Sequence, residues 1–303
     1  MELIPDDIDF KEYMQEPEFN RIRSATEFEK DVIKLFYPDP NTPIPPGPLW
    51  QKTNGKMQFR PGEVSLWAGI NGHGKSMFLS QIVLDMLYKK NKVLIISLEM
   101  QPAIQMQRMC RQASGTEVPN LEFIGKFHKK TDGLLWMYDQ HGQLDWRKAI
   151  AVCRYANENF GINHFVIDSL MKCVKGEDDY NGQKDFLNEL CGFAMVRGVH
   201  IHLVHHVRKG DTNKETVPGK FDIKGSGGIS DQVDNIYIVW RNKKAEDDMS
   251  KGNYDGSPTA LIKCEKSRHG NWEGTLGFWF EPQSLQYLEN PASPAVRYDM
   301  PGI

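Results

Sequence analysis

The sequence predicts an α/β fold, with a mostly parallel central sheet followed by antiparallel β-hairpins. From Trp50 onward, short apolar runs typical of buried strands alternate with segments whose apolar residues recur at helical spacing. From Asn235, strand-like runs follow one another without helices between them, as in a meander of hairpins. A complete phosphate-loop motif (Walker A) near the start of this region predicts a P-loop NTPase core.

The first element is a strand at 63–68, which leads into the phosphate loop and then into a helix at 77–87. The loop consists of Gly69, Ile70, Asn71, Gly72, His73, Gly74, Lys75 and Ser76. Glycine turns at a helix N-terminus present backbone N–H groups to a polyphosphate. Lys75 would reach the β- and γ-phosphates, and Ser76 would hold Mg²⁺. We therefore expect ATP, or another NTP or dNTP, together with Mg²⁺.

The later elements follow in alternation. Further strands are predicted at 92–98, 134–138, 164–167, 199–204, 235–240, 259–263, 275–280 and 286–288. Helices are predicted at 102–113, 146–159 and 183–197. The strand at 92–98 is expected beside the loop strand, since sequential strands are usually neighbours.

Composition excludes little but sets the context. The 303 residues contain five scattered cysteines without a CxxC pair, which favours reduced thiols in the cytoplasm over zinc or disulfides. The acidic N-terminus has no signal-peptide pattern, and no apolar run is long enough for a membrane span. The net charge of −3 neither demands nor excludes nucleic acid.

Three regions are expected. Residues 1–48 form an N-terminal arm, a helix at about 24–36 and a proline-rich linker. Residues 49–290 form the catalytic domain, and 291–303 a tail. The helix carries an apolar stripe of Phe28, Val32, Leu35 and Phe36, which packs either on its own core or on a neighbouring subunit.

Two acids are predicted at the edge of the sheet where ligands bind. Glu99 follows one apolar strand and Asp168 another, and the carboxyl ends of parallel strands collect ligands. A carboxylate near an attacking water can take its proton, the role expected for Glu99. An acid after an apolar strand, behind a complete phosphate loop, is expected to hold Mg²⁺, the role expected for Asp168.

Tandem histidines and a basic turn add candidates. His205 and His206 end the strand at 199–204, where a polar donor can sense the γ-phosphate. Lys266 and Arg268 lie on a turn between two strands, and an arginine there can serve a neighbour's ATP. A solvated basic turn is the alternative.

The segment 207–228 is long and polar, and it ends in Lys224, Gly225, Ser226, Gly227 and Gly228. Cations, hydroxyls and accessible backbone N–H groups suit a phosphodiester backbone. These features favour a DNA contact by Lys224, Gly225, Ser226 and Gly227. The alternative is a flexible surface loop.

In this order, the motifs resemble those of the hexameric replicative DNA helicases with a RecA-like core. This family comprises the DnaB-type bacterial helicases, the helicase half of phage primase–helicases and mitochondrial Twinkle. The resemblance covers about residues 50–288. It rests on SLEM at 97–100, VIDSL at 166–170, HHVRK at 205–209, DIKGSGGI at 222–229 and KSRHG at 266–270.

The resemblance implies a role for each matching residue. Glu99 matches the catalytic base, Asp168 the Mg²⁺ acid and His206 the phosphate sensor. Arg268 matches the trans-acting finger, with Lys266 as its companion. Lys224 stands where the bacterial branch usually has arginine, which keeps the charge but loses the fork geometry. The spacing from Gly270 to Gly274 is one residue longer than in the family.

The family also implies an assembly and partners. We expect a ring, a hexamer by resemblance, moving on single-stranded DNA at a replication fork in the cytoplasm, associated with the nucleoid. The helix at 24–36 is similar to the family's linker helix, which docks on the adjacent subunit. The sequence shows no primase, zinc-ribbon or N-terminal helical domain. We therefore expect either a separate primase or polymerase as a partner, or a trimmed or stand-alone helicase core. A histidine sensor is typical of the phage branch.

Three alternatives stay open. A recombinase or clock-type RecA relative would keep the fold without unwinding DNA. A phosphate-loop small-molecule kinase would need an arginine-rich lid, which the sequence does not show. A non-catalytic ATP-binding scaffold would not need Lys75, Glu99 and Asp168, which are all present.

Overall fold

The computed structural model describes residues 24–37, 39, 44–208, 216–225 and 227–298. In these ranges, nine strands form one sheet. They are β1 (Val64–Ala68), β2 (Val93–Ser97), β3 (Leu135–Tyr138), β4 (His164–Asp168), β5 (His200–Val204), β6 (Asn235–Arg241), β7 (Ala260–Ser267), β8 (Gly274–Glu281) and β9 (Gln286–Leu288). The predicted strands are therefore confirmed, with ends that differ by up to four residues.

The helices of the same ranges connect these strands. They are α1 (Glu29–Phe36), α2 (Lys75–Tyr88), α3 (Pro102–Ser114), α4 (Leu121–Thr131), α5 (Trp146–Phe160), α6 (Leu170–Cys173), α7 (Tyr180–Arg197), α8 (Gly228–Gln232) and α9 (Lys243–Ser250). Several have polar caps, such as Asn120, whose side chain accepts from the Phe123 N–H ahead of α4. This cap was visible in the sequence, yet α4 was not predicted.

The strand order is β3-β2-β4-β5-β1-β6-β7-β8-β9. Strands β1 to β6 are parallel, and β7 to β9 add antiparallel pairs. The expectation that β2 lies beside β1 is wrong, because β4 and β5 lie between them. The expectation of no helix after Asn235 is also wrong, because α9 connects β6 to β7.

Both faces of the sheet are covered. On one face, Leu66 of β1 packs with apolar residues of α5 and α7. On the other face, Trp67 packs with α2 and α3. Neighbouring residues of a strand point to opposite faces, so a strand buried on both reads as a continuous apolar run. No helix in the described ranges is long and apolar enough to cross a bilayer.

The N-terminal helix forms as predicted, with a 3-10 turn at Ala25–Phe28 before α1. All its side chains are exposed, including the stripe of Phe28, Val32, Leu35 and Phe36. The predicted arm at 1–23 and part of the proline-rich linker lie outside the described residues. At the other end of the chain, Tyr298 is buried, and its hydroxyl donates to Asp85 of α2 at 2.7 Å.

Candidate active site

The phosphate loop lies between β1 and α2. Gly74 precedes Lys75, the first residue of α2, with a φ of +80°. A Cβ at Gly74 would lie 2.3 Å from the Oη of Tyr287, so this position requires glycine. The first amides of α2 have no partner within the helix, and the positive end of the helix lies at the loop. This geometry suits a polyphosphate.

Lys75 folds back over the loop. Its Nζ donates to the carbonyl oxygens of Gly69 at 3.0 Å and Ile70 at 3.1 Å. Burial lowers the pKa of Lys75, while Asp168 and Glu99 act in the opposite direction. Phosphate oxygens are better partners for an ammonium group than neutral carbonyls. A nucleotide can therefore draw Lys75 out of its contacts with the loop.

Ser76 and Asp168 meet directly. The Ser76 hydroxyl donates to Asp168 Oδ2 at 2.5 Å, and burial raises the pKa of Asp168. The pair supplies the hard oxygen ligands that Mg²⁺ prefers. In the part of the chain that the structure describes, no group of three or more His, Cys, Asp or Glu residues could hold a metal ion. A Mg²⁺ ion here would thus take its other ligands from phosphate and water, as it does in nucleotide sites.

Glu99 lies at the same edge of the sheet, although β2 is not the neighbour of β1 that was expected. It lies beside Asp168 because β2 pairs with β4, with Ser97 opposite Asp168. The Ser169 hydroxyl donates to Glu99 Oε1 at 3.1 Å. The His206 ring, followed by Ser169, holds the pKa of Glu99 below its usual range against burial. Glu99 is therefore ionised at neutral pH, and its half-exposed carboxylate can accept a proton.

The structure separates the tandem histidines. Nε2 of His206 lies 3.8 Å from Glu99 Oε1, with its side chain 16% exposed at the site. His205 is fully buried and turns instead to the carbonyl of Lys224, 2.8 Å from its Nε2. Of the two, His206 is the residue whose ring lies near Glu99.

Arg268 and Lys266 lie at the opposite edge. Ser267 pairs with Asn235, the first residue of β6, whereas the phosphate loop follows the last residue of the parallel β1. Arg268 forms an ion pair with Asp234 at 3.4 Å, and Lys266 donates to main-chain carbonyls at the end of α8. The structure does not bring these two cations to the loop of their own chain.

The predicted DNA contacts follow β5. Nζ of Lys224 lies 2.6 Å from Glu177 Oε1, on the loop before α7. Gly225 has a φ of +87°, and a Cβ there would lie 2.3 Å from the Gln183 side chain. Gly227 caps α8, while Ser226 lies outside the described residues. The Lys224 N–H donates to the His206 carbonyl at 3.0 Å, so Lys224 lies close to the end of β5.

Two residues at the loop were missed. Tyr287 of β9 directs its hydroxyl to the Gly74 carbonyl at 3.4 Å. Arg241 ends β6 and pairs with Glu246 through two hydrogen bonds of 2.5 and 2.6 Å. The rule that selected Glu99 and Asp168, a charge at the carboxyl end of an apolar strand, also selects Arg241. No local signal marks Tyr287.

Comparisons with known proteins agree with this geometry. The family described as AAA domain matches residues 50–212. The structure titled "ATPase Domain of G40P" is similar with a TM-score of 0.72 and 14% identity, covering 86% of this chain and 98% of that one. A second structure, of a DnaB-like replicative helicase and its interactions with primase, has a TM-score of 0.72 and 16% identity, covering 88% and 68%. At these identities, the likeness shows that the fold is that of these ATPase domains.

Proposed function

The chain belongs to the AAA domain family, and from that premise we propose that it is an ATP-dependent replicative DNA helicase working as a ring-shaped motor. One observation carries the proposal: the predicted catalytic groups are divided between two edges of the sheet. Lys75 and Glu99 share one edge with Asp168, and Arg268 lies at the other. An arginine in that position is available to the nucleotide of another copy.

Hydrolysis in this proposal is an in-line attack of water on the γ-phosphorus. The loop and Lys75 orient the triphosphate, and Glu99 accepts the proton of the water as the new P–O bond forms. The bond to the β-phosphate oxygen breaks, and ADP leaves. Mg²⁺, when bound between Ser76 and Asp168, would offset the charge of the phosphates. His206, beside Glu99, is placed to respond when the γ-phosphate departs.

The exposed stripe of α1 supports assembly. Leu35 and Phe36 are 81% and 77% exposed, which is costly for an isolated subunit. On the body of the protein, a cavity of about 750 Å³ between α3 and α4 is lined in part by Ile104, Val118 and Ile124. We propose that α1 of one subunit fills this cavity on the next and so closes a ring, a hexamer by family resemblance.

Single-stranded DNA is the proposed track, held by the backbone and cation of the Lys224 loop. The DnaB-like helicase among the similar structures is described with primase. For this chain, a separate primase or polymerase at the fork is a proposal drawn from that likeness. Work at a replication fork would place the protein in the cytoplasm, at the nucleoid.

The decisive experiment mixes two inactive variants. Glu99→Gln lacks the base, and Arg268→Ala lacks the finger. In randomly mixed rings, about one quarter of the interfaces combine an intact Glu99 with an intact Arg268 from the neighbour. We expect DNA-stimulated ATP hydrolysis to return on mixing. Two variants that stay inactive together, under conditions where labelled subunits exchange, would contradict a shared site.

A strand-displacement assay separates the helicase from its alternatives. Unwinding of a forked duplex that requires ATP and Glu99 supports the motor. DNA-stimulated hydrolysis without unwinding would favour a recombinase-type relative, and nucleotide binding without hydrolysis would favour a scaffold.

A further inference from the structure

Among the described residues, the side chain of His205 makes one hydrogen bond. Its Nε2 lies 2.8 Å from the Lys224 carbonyl oxygen, and the side chain is fully buried. A carbonyl only accepts, so Nε2 must carry the proton and donate. Burial lowers the pKa of His205 to about 4, so the ring is neutral. Its Nδ1 has no hydrogen-bond partner among the described residues, so the bond to the Lys224 carbonyl is the hydrogen bond that orients the ring.

The main chain strengthens this connection. The Lys224 N–H donates to the His206 carbonyl at 3.0 Å, and the Arg208 N–H donates to the Asp222 carbonyl at 2.7 Å. Val207 and Ile223 form an antiparallel bridge between these bonds. Residues 222–224 are therefore fastened to the end of β5, and a displacement of the loop must move 205–208 with it.

The ammonium group of Lys224 has a different partner. It lies 2.6 Å from Glu177, whose side chain is 60% exposed. Exposed ion pairs are weak, so a DNA phosphate can replace Glu177. The buried contact with His205 is shielded from such exchange. The ammonium group of Lys224 is thus available to DNA, whereas its main-chain carbonyl stays bonded to His205, directly after β5.

We propose that His205 is a positioning residue that couples DNA bound at Lys224 to hydrolysis at Glu99. The connection runs from the Lys224 carbonyl through the His205 ring to its neighbour in the chain, His206, which lies 3.8 Å from Glu99. DNA that pulls on the loop shifts His206 relative to the base. This inference rests on the proposed function, because it requires that the Lys224 loop binds DNA.

The test compares ATP hydrolysis with and without single-stranded oligo(dT). His205→Ala removes the donor, whereas His205→Gln keeps an N–H group at a similar distance from the backbone. We expect His205→Ala to keep its DNA-free rate while the stimulation by DNA falls about five-fold, which corresponds to the loss of about 1 kcal/mol, the size of one hydrogen bond. His205→Gln should restore most of the stimulation.

Binding of labelled oligo(dT), followed by fluorescence anisotropy, completes the design. His205→Ala should bind DNA as the wild type does, whereas Glu177→Gln should bind more tightly and keep its stimulation. If DNA stimulates hydrolysis by His205→Ala as fully as by the wild type, the inference about His205 is overturned, and the proposed function is not affected. A loss of DNA-free hydrolysis that His205→Gln does not rescue points to a merely structural role and also overturns it. A wild-type protein that neither binds oligo(dT) nor responds to it overturns the proposed function as well.

Discussion

The two ends of the parallel sheet use polar residues in opposite ways. At the carboxyl end, Ser76, Asp168 and Glu99 converge on one site from α2, β4 and the segment after β2. At the amino end, polar side chains such as that of His200 are occupied by hydrogen bonds within the fold. His200 there takes the Arg60 carbonyl and the Ser65 hydroxyl as partners, at 2.7 and 2.9 Å.

This difference distinguishes polar residues that we assign to a ligand from polar residues whose partners lie within the fold. Asp168 is buried at some cost, since burial raises its pKa, and its main partner is a serine hydroxyl. His164 and His202 instead stack with 22° between their planes and have a nitrogen–nitrogen distance of 3.4 Å. Arg268, 43% exposed, is the residue of the amino end that we assign to a ligand on another copy.

The largest effect is expected for a variant at the carboxyl end of the sheet. Asp168→Asn should lower ATP hydrolysis at least about a hundredfold, because Mg²⁺ offsets several kcal/mol of transition-state charge. The unfolding free energy should stay level or rise, since the variant removes a buried charge. Steady-state hydrolysis over a Mg²⁺ titration and urea unfolding measure the two effects.

The matched control is Asp185→Asn, at an exposed position of α7. It should change neither hydrolysis nor stability. If Asp168→Asn hydrolyses ATP normally at low Mg²⁺, the metal is held elsewhere and the assignment of Asp168 is wrong.

The next effect concerns stability at the amino end. Burial lowers the pKa of His200 to about 4, and those of His164 and His202 well below their usual value. Below pH 6.5 the unfolded chain binds more protons at these sites, so the stability present above pH 6.5 is lost as the pH falls. Each histidine should cost about 1.4 kcal/mol per pH unit between pH 6.5 and its folded pKa.

Asp85 has the opposite effect, because burial raises its pKa to about 7. Below that pH the folded protein holds one more proton at Asp85 than the unfolded chain does, so this residue adds stability as the pH falls. The net slope, measured by urea unfolding between pH 7.5 and 5, should still be positive. His164→Gln should flatten it, and His141→Gln, at an exposed position, should not. A stability independent of pH in this window would mean that the histidines are not buried neutral.

The smallest effect is expected on the stability of a Lys266 variant, and it tests whether Lys266 has a structural role or shares the catalytic role proposed for Arg268. Nζ of Lys266 donates to the carbonyls of Ser230, Asp231 and Val233 at 2.7 to 3.0 Å. Lys266→Met keeps the aliphatic chain and loses these bonds, which should cost about 1–2 kcal/mol of unfolding free energy at this partly exposed site. Lys263→Met, on the same strand, should cost less because Lys263 pairs with the side chain of Glu265.

A loss of hydrolysis by Lys266→Met at unchanged stability would point the other way. Lys266 would then belong with Arg268, as the catalytic companion that the family resemblance implies.

Local sequence was enough for the parts of the site that are contiguous. Residues 69–76 sit between one strand and one helix, so their spacing alone fixes the loop. Glu99, Asp168 and the pair His205 and His206 were selected by a single rule, that polar residues after parallel strands share an edge. The choice of His206 from that pair came from the family resemblance. The rule works because strand polarity is a property of the chain, whatever the strand order.

Tertiary structure decided which of these residues touch. Glu99 lies near Asp168 and accepts from the next residue, Ser169, because β4, and not β1, is the neighbour of β2. It also separated His206, at the site, from His205, in the core. Tyr287 reaches Gly74 from more than 200 residues away, a contact that no local pattern encodes. Short motifs thus determine which chemical groups the site contains. Which of these groups contact one another depends on long-range packing, whose energy is shared among many contacts.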